Sequence, residues 1–220
     1  MHHLLERFDD DDALADAAAS YVAQRARDCV QARGEFTFAF SSGTTPWAMF
    51  ARLATLDVPW EQVTIFQVDE RIAPEGDATR NLTNLQSSLG PRPATIEAMP
   101  VNDDDLDGAA KRYAALIPER FDIVHLGLGP DGHTASLIPG DPVLTVVDRL
   151  VSLTGVYHDE RRMTLTYPAI ARANQLLWLI AGAEKRTALA QLLAGDESIP
   201  AGRVVAASSL VMADSAASPS

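Results

Sequence analysis

Short, wholly apolar runs alternate along this chain with stretches whose apolar residues recur every three or four positions. This is the pattern of buried strands alternating with amphipathic helices. The runs are Phe36 to Phe40, about Val63 to Val68, Ile123 to Leu128, and Gln175 to Gly182. Helical spacing predicts a first helix from about Asp12 to Ala32, carried by Leu14, Ala18, Tyr21, Val22, Cys29 and Val30 and ended at Gly34. Trp47, Phe50 and Leu53 predict a second helix, and Leu82, Leu85 and Leu89 a short one that stops at Gly90-Pro91, with Asn81 and Asn84 on one face. Further helices are predicted from about Asp104 to Ile117, from Tyr167, and through EKRTALAQLLAG to Gly195. A strand at Leu150 to Val156 and a short one at Met163 to Thr166 complete the pattern. The fold class is α/β: one doubly wound domain over residues 1–220, with a mainly parallel central sheet flanked by helices and a flexible tail at about 213–220.

Each of four apolar runs ends in polar residues: SSGTT, DER, GPDGH and GAEK. In a doubly wound sheet the carboxyl ends of the strands lie along one edge and line one crevice, where such folds bind ligands. FDIVHLGLGPDGHTASLIPG, Phe121 to Gly140, is the most informative of the four, because its glycine-rich turn holds Asp131 and His133 two residues apart. Those two are the candidate acid/base pair. Gly127, Gly129 and Gly132 also spell G-x-G-x-x-G, but that fingerprint needs a following helix, and Pro139-Gly140-Asp141-Pro142 interrupts at once.

The other ends carry charge and hydroxyls. Thr45 is a suitable N-cap and Pro46 a suitable first helical residue, so Ser42, Gly43, Thr44 and Thr45 can aim hydroxyls and backbone N–H groups at an anion; the same residues also make an ordinary capped turn. Asp69, Glu70 and Arg71 fit either a ligand site or an exposed strand end. Lys185, in the first turn of a helix, opposes the helix dipole, and a bound anion or a surface ion pair would compensate it. It is one of only two lysines, so it does not belong to a basic background. His133 has an alternative role as a turn histidine capping a carbonyl, and His125, inside an apolar run, reads as a core histidine with its polar atoms satisfied.

Charge and composition narrow the ligand. A formal net charge of -12 over 220 residues, with no Lys/Arg cluster, excludes a nucleic-acid surface, so an anionic ligand must be held by a few local groups. The single cysteine, Cys29, fits a reducing compartment; the start MHHLLERFDDDD is acidic where a secretory signal is basic and then apolar; no run reaches membrane-spanning length. A cytoplasmic protein without membrane or nucleic-acid partners, a monomer or weak homodimer, is expected. The histidines show no metal-ligand spacing, so no metal is expected. The inventory suits a small phosphorylated substrate acted on by acid/base chemistry.

SSGTTPWAMFARLA, QVDERIAP, FDIVHLGLGPDGHTASLIPG, RMTLTYPAI and LIAGAEKRTAL, in this order, resemble the 6-phosphogluconolactonase family over nearly the whole chain. The resemblance implies a Rossmann-like fold and cofactor-free hydrolysis of 6-phospho-D-glucono-1,5-lactone to 6-phosphogluconate. It implies His133 as the general base that activates water, with Asp131 orienting it and Asp69 also in the catalytic set. Ser42, Gly43, Thr44, Thr45, Arg162 and Lys185 would hold the phosphate or nearby oxygens, and Arg71 the phosphate or the developing oxyanion. The sequence departs from the family in having Ser42 where a glycine is usual, and in a C-terminal segment shorter than usual. Glucosamine-6-phosphate deaminases resemble it too, but they carry a glutamate five residues after the histidine, where this chain has Ile138. A non-catalytic sugar-phosphate sensor is the remaining alternative.

Overall fold

The computed structural model describes residues 2–219. Their main feature is a seven-stranded, all-parallel sheet of β1 (Leu4–Phe8), β2 (Phe36–Phe40), β3 (Val63–Gln67), β5 (Thr95–Glu97), β6 (Phe121–Leu126), β9 (Ala173–Ile180) and β10 (Ser209–Asp214), in the order β1-β10-β9-β6-β2-β3-β5. From β2 the chain winds outward through β3 to β5, then crosses back to β6 on the other side of β2. The strand order therefore reverses between β2 and β6, and the crevice opens above their carboxyl ends. A second, antiparallel sheet of β4 (Asp69–Arg71), β8 (Arg162–Leu165) and β7 (Val151–Leu153) stands beside it.

Helices cover both faces because every core strand is apolar on both sides. One face packs against α1 (Asp11–Arg33) and α2 (Thr44–Leu53), with Leu14, Val22, Met49 and Phe50 against Phe38, Phe40, Ile123 and Leu177. The other packs α4 (Leu106–Leu116) and α6 (Arg186–Ala194) through Tyr113, Leu189 and Leu192 against Phe66, Val124 and Trp178. The remaining helices are α3 (Asn81–Leu89) and the single turn α5 (Tyr167–Ile170).

Several expectations need correction. Residues 213–219 are not a loose tail: β10 inserts between β1 and β9, and Ala213, Asp214, Ala217 and Ser218 are buried, while Ser220 lies outside the described residues. Thr45 does not cap α2, which starts two residues earlier than expected, at Thr44, with Gly43 as N-cap and no capping side chain. The Thr45 hydroxyl instead donates to Asp11 Oδ1 at 2.5 Å, tying α2 to the start of α1. Lys185 lies in a 3-10 turn, Ala183–Lys185, that leads into α6. The expected strand from Leu150 to Val156 shortens to Val151–Leu153, because beyond it the chain turns at Tyr157–Glu160.

His125, on β6, is fully buried, and burial drives its pKa down to about 3. An unfolded histidine titrates near 6.5, so below that pH the unfolded chain takes up a proton that the folded chain refuses until about pH 3. Stability present above pH 6.5 is therefore lost as pH falls, by ~1.4 kcal/mol per pH unit for this one group. Urea unfolding at pH 7.5 and 5.0 should show a smaller acid-induced loss in His125→Leu than in the wild type, by about 2 kcal/mol. An equal loss in both proteins would contradict this assignment.

Candidate active site

The turn after β6 places the candidate acid/base pair. Gly132 N–H donates to Gly129 C=O at 3.0 Å and Gly129 N–H to His133 C=O at 2.9 Å, closing a tight loop with Gly132 at φ 81°. Within it, His133 Nδ1 lies 2.6 Å from Asp131 Oδ1, and the His133 backbone N–H donates to the same oxygen at 3.1 Å. Gly129 allows this approach: a Cβ there would lie 2.1 Å from His133 Nδ1. Partial burial pushes the Asp131 carboxyl up, but the hydrogen bonds and charge of His133 outweigh it and hold the group below its ordinary value. Tyr157, which no sequence signal singled out, sets its ring edge-on to His133 with centroids 5.9 Å apart, and its hydroxyl lies 3.4 Å from Asp131 Oδ2.

His133 opens on a cleft of about 390 Å³ above β2 and β6, into which Ser42, Asp69, Arg71, Arg162 and Lys185 also project. Two contiguous hollows share the Ser42–Gly43–Thr44 turn: one of about 360 Å³ takes in Thr45, Lys185 and Asp214, the other of about 580 Å³ takes in Arg71, Asn81 and Arg162. The candidate residues from four strand ends thus surround one crevice. Thr45 meets only the hollow beside Asp214, with its hydroxyl already committed to Asp11.

The cations differ in how far they are committed. Arg71 donates to Asn81 Oδ1 at 2.6 Å and pairs with Glu160 at 3.2 Å. Arg162 is buried, lies 3.9 Å from Glu160, and packs its guanidinium over the Tyr157 ring at 5.4 Å, while its Nε has no hydrogen-bond partner among the described residues. Lys185 has no ion pair within 4.0 Å among the described residues, so the surface-pair alternative is not realised. Lys185 and the uncapped start of α2 line one hollow, which they share with the carboxylates of Asp11, Glu184 and Asp214.

DER is a buried corner, not an exposed strand end. Asp69 accepts from Ser136 Oγ at 2.6 Å and Asn81 Nδ2 at 3.2 Å. Burial pushes its carboxyl up, against the opposing pull of the Ser136 hydroxyl and of Arg162 and Arg71. Glu70, fully buried, accepts from Gln67 Nε2, Arg71 N, Asn81 N and Leu82 N at 2.8–2.9 Å, and Arg80 lies 3.2 Å away. It thereby caps α3 and fixes Asn81, which in turn aims Arg71. Asp214, which lay within the expected tail, accepts from Gly182 N at 3.1 Å and Ala217 N at 2.7 Å, anchoring the turn that carries Lys185.

Ser42, in the place where a glycine is usual, does not need a glycine's freedom. Among the described residues only Ala135, His158 and Asp159 combine a side chain with positive φ, and in the phosphate-type turn it is Gly43, at φ 146°, that requires it. Among the described residues no group of three or more His, Cys, Asp or Glu is placed to hold a metal ion, and no helix is long and apolar enough to cross a membrane.

A sequence model of the glucosamine-6-phosphate isomerase/6-phosphogluconolactonase family matches residues 9–212. A 6-phosphogluconolactonase of Synechocystis sp. is 35% identical over 196 residues, covering 82% of this chain and 81% of that protein. The crystal structure of a 6-phosphogluconolactonase from Thermotoga maritima superposes with a TM-score of 0.87 at 25% identity, covering 96% of this chain and 99% of the other. A monomeric glucosamine-6-phosphate deaminase superposes nearly as well, with a TM-score of 0.86 at 19% identity over 97% and 98% of the two chains, which shows a shared fold.

Proposed function

The chain belongs to the glucosamine-6-phosphate isomerase/6-phosphogluconolactonase family, and on that premise we propose that it hydrolyses 6-phospho-D-glucono-1,5-lactone to 6-phosphogluconate with His133 as general base. The observation that carries this reading is the 2.6 Å contact of His133 Nδ1 with Asp131 Oδ1 beside a cleft that also contains Lys185. The carboxylate fixes the tautomer with the proton on Nδ1, which leaves the Nε2 lone pair to take a proton from water. The water oxygen attacks the lactone carbonyl carbon, the carbonyl oxygen becomes an oxyanion, and collapse breaks the bond from that carbon to the ring oxygen. The imidazolium returns the proton to the departing oxygen, giving the open-chain acid.

Arg71 is suited to the developing oxyanion, because Asn81 and Glu160 pre-set its guanidinium and reorganisation at the moment of reaction is small. Lys185, the Ser42–Thr44 turn and the start of α2 are suited to the phosphate, with Arg162 closing the opposite side. Deaminase chemistry is disfavoured at Ile138: a buried apolar side chain stands where those enzymes need a proton-moving glutamate.

The test is hydrolysis of freshly generated 6-phosphogluconolactone, corrected for spontaneous opening, beside unphosphorylated gluconolactone. Rapid turnover of the phosphorylated lactone supports the reading; no acceleration of either substrate, with phosphosugar binding retained, would replace it with a sensor. In the same assay Lys185→Ala should raise KM about 10- to 100-fold with kcat little changed, the cost of one charge-assisted contact to phosphate. A loss confined to kcat would remove Lys185 from the phosphate site.

A further inference from the structure

His125 is half-satisfied, in contrast to the core histidine with both nitrogens partnered that the sequence suggests. Its Nδ1 accepts the Ser41 backbone N–H at 3.1 Å, so the ring proton sits on Nε2, which is buried without a partner among the described residues. Strand alternation sets the ring on the face of Ile123, the apolar layer under α1 and α2. A leucine there would bury as well and remove the stranded Nε2–H, but it would leave the N–H of nearly buried Ser41 without its acceptor. The one polar contact this ring makes is to the first residue of the Ser41–Thr45 turn.

The strand geometry explains why such a contact is needed. The ladder between β2 and β6 pairs Phe38 with Ile123 and Ala39 with Val124, and stops there. One residue later Phe40 C=O is taken by Val68 N–H on the β3 side, at 2.9 Å. The two strands therefore part where the crevice opens, and Ser41, nearly buried, faces β6 with its N–H beyond the last rung. The imidazole spans the gap. Two residues past His125, Gly127 brings the backbone so close that a Cβ there would lie 3.8 Å from Ser42 C=O.

We infer that His125 is a positioning residue for substrate phosphate: through Ser41 N–H it sets the height and angle of the Ser42–Gly43–Thr44 turn over the crevice. This rests on the phosphate assignment proposed above. It touches neither substrate nor reacting atoms, so its effect falls on phosphate affinity and not on the chemical step. A KM that moves while kcat holds separates this role from a merely structural one.

The experiment compares wild type, His125→Leu and His125→Asn at pH 7.5, reading kcat and KM for 6-phosphogluconolactone and for gluconolactone, the Kd for 6-phosphogluconate by calorimetry, and Tm. In His125→Leu, KM and Kd for the phosphorylated compounds should rise about 5- to 10-fold, the effect of losing one neutral hydrogen bond, with kcat within twofold and gluconolactone kinetics unchanged even where the orphaned Ser41 N–H lowers Tm. The asparagine carbonyl can accept the same N–H, so His125→Asn should return KM to within about threefold of wild type. Unchanged KM in an active His125→Leu protein, or kcat falling in step with Tm, overturns the inference. If His125→Leu does not fold, His125→Ala takes its place: a KM that rises there with kcat kept, and returns in the asparagine variant, supports the inference, and unchanged KM or kcat falling with Tm overturns it. An inactive wild type would instead fail the functional reading itself, and this inference with it.

Discussion

Replacing His133 with alanine is expected to lower kcat by about 10²–10⁴-fold while moving KM by less than threefold, because positioned proton transfer contributes on that scale and the groups assigned to phosphate lie elsewhere in the crevice. The geometry makes the histidine hard to replace. Asp131 holds Nδ1 at 2.6 Å and Tyr157 closes over the ring, so a water admitted to the vacated space would have neither a lone pair of the right basicity nor a fixed orientation. Steady-state hydrolysis of the phosphorylated lactone checks this, with product binding as the control for an intact site. Retention of wild-type kcat would sink the general-base assignment.

Replacing Glu70 with glutamine should cost roughly 3–5 kcal/mol of folding stability, the scale for breaking a buried charge pair and stranding its partners. Glutamate is acceptor-only, and both its oxygens are used: Oε1 by Arg71 N and Asn81 N, Oε2 by Gln67 Nε2, Leu82 N and the nearby Arg80 guanidinium. A glutamine keeps one acceptor oxygen and turns an NH₂ toward N–H donors, leaving Arg80 buried with a neutral neighbour. Domains of this size hold ~5–15 kcal/mol in total, so the variant should unfold at a much lower urea concentration. It should also lose kcat/KM, because Asn81 and Arg71 are aimed through the same carboxylate. A stability loss below about 1 kcal/mol would show that the network can re-form around an amide.

The two residues mark the boundary of what the sequence discloses. His133 was legible because its turn is local: glycines, acid and imidazole fall within five positions after an apolar run, and buried parallel strands read as such runs. Phe36–Phe40 was read to the residue for the same reason. Glu70 was not legible, because its partners at Asn81 and Leu82 lie eleven and twelve residues away across a loop. Ser136 and Asp69 are 67 positions apart, and Tyr157 and Asp131 are 26, separations at which no periodicity carries information. Among strands, β1 was missed because LLERF, near the sheet edge, is largely open to solvent and lacks an apolar run. β10 was missed because its six residues run into an Ala/Ser-rich segment that resembles a frayed end. The cue available there was Asp214, an acid directly after an apolar stretch, as Asp69 is at the DER end.

The insertion of β10 between β1 and β9 bears on the order in which a growing chain can become an enzyme. Leu4 pairs with Leu210, so β1 has no neighbour in the sheet until β10, far later in the chain, has been made. Until then β9 presents a bare edge, and the Gly182 turn that carries Lys185 lacks its Asp214 anchor. Nascent chains halted before residue 209 should therefore contain His133 and Asp131 in a formed β6 turn yet bind phosphosugar poorly. In this architecture β10 closes the sheet and anchors the Lys185 turn in one step, so a chain without it lacks both.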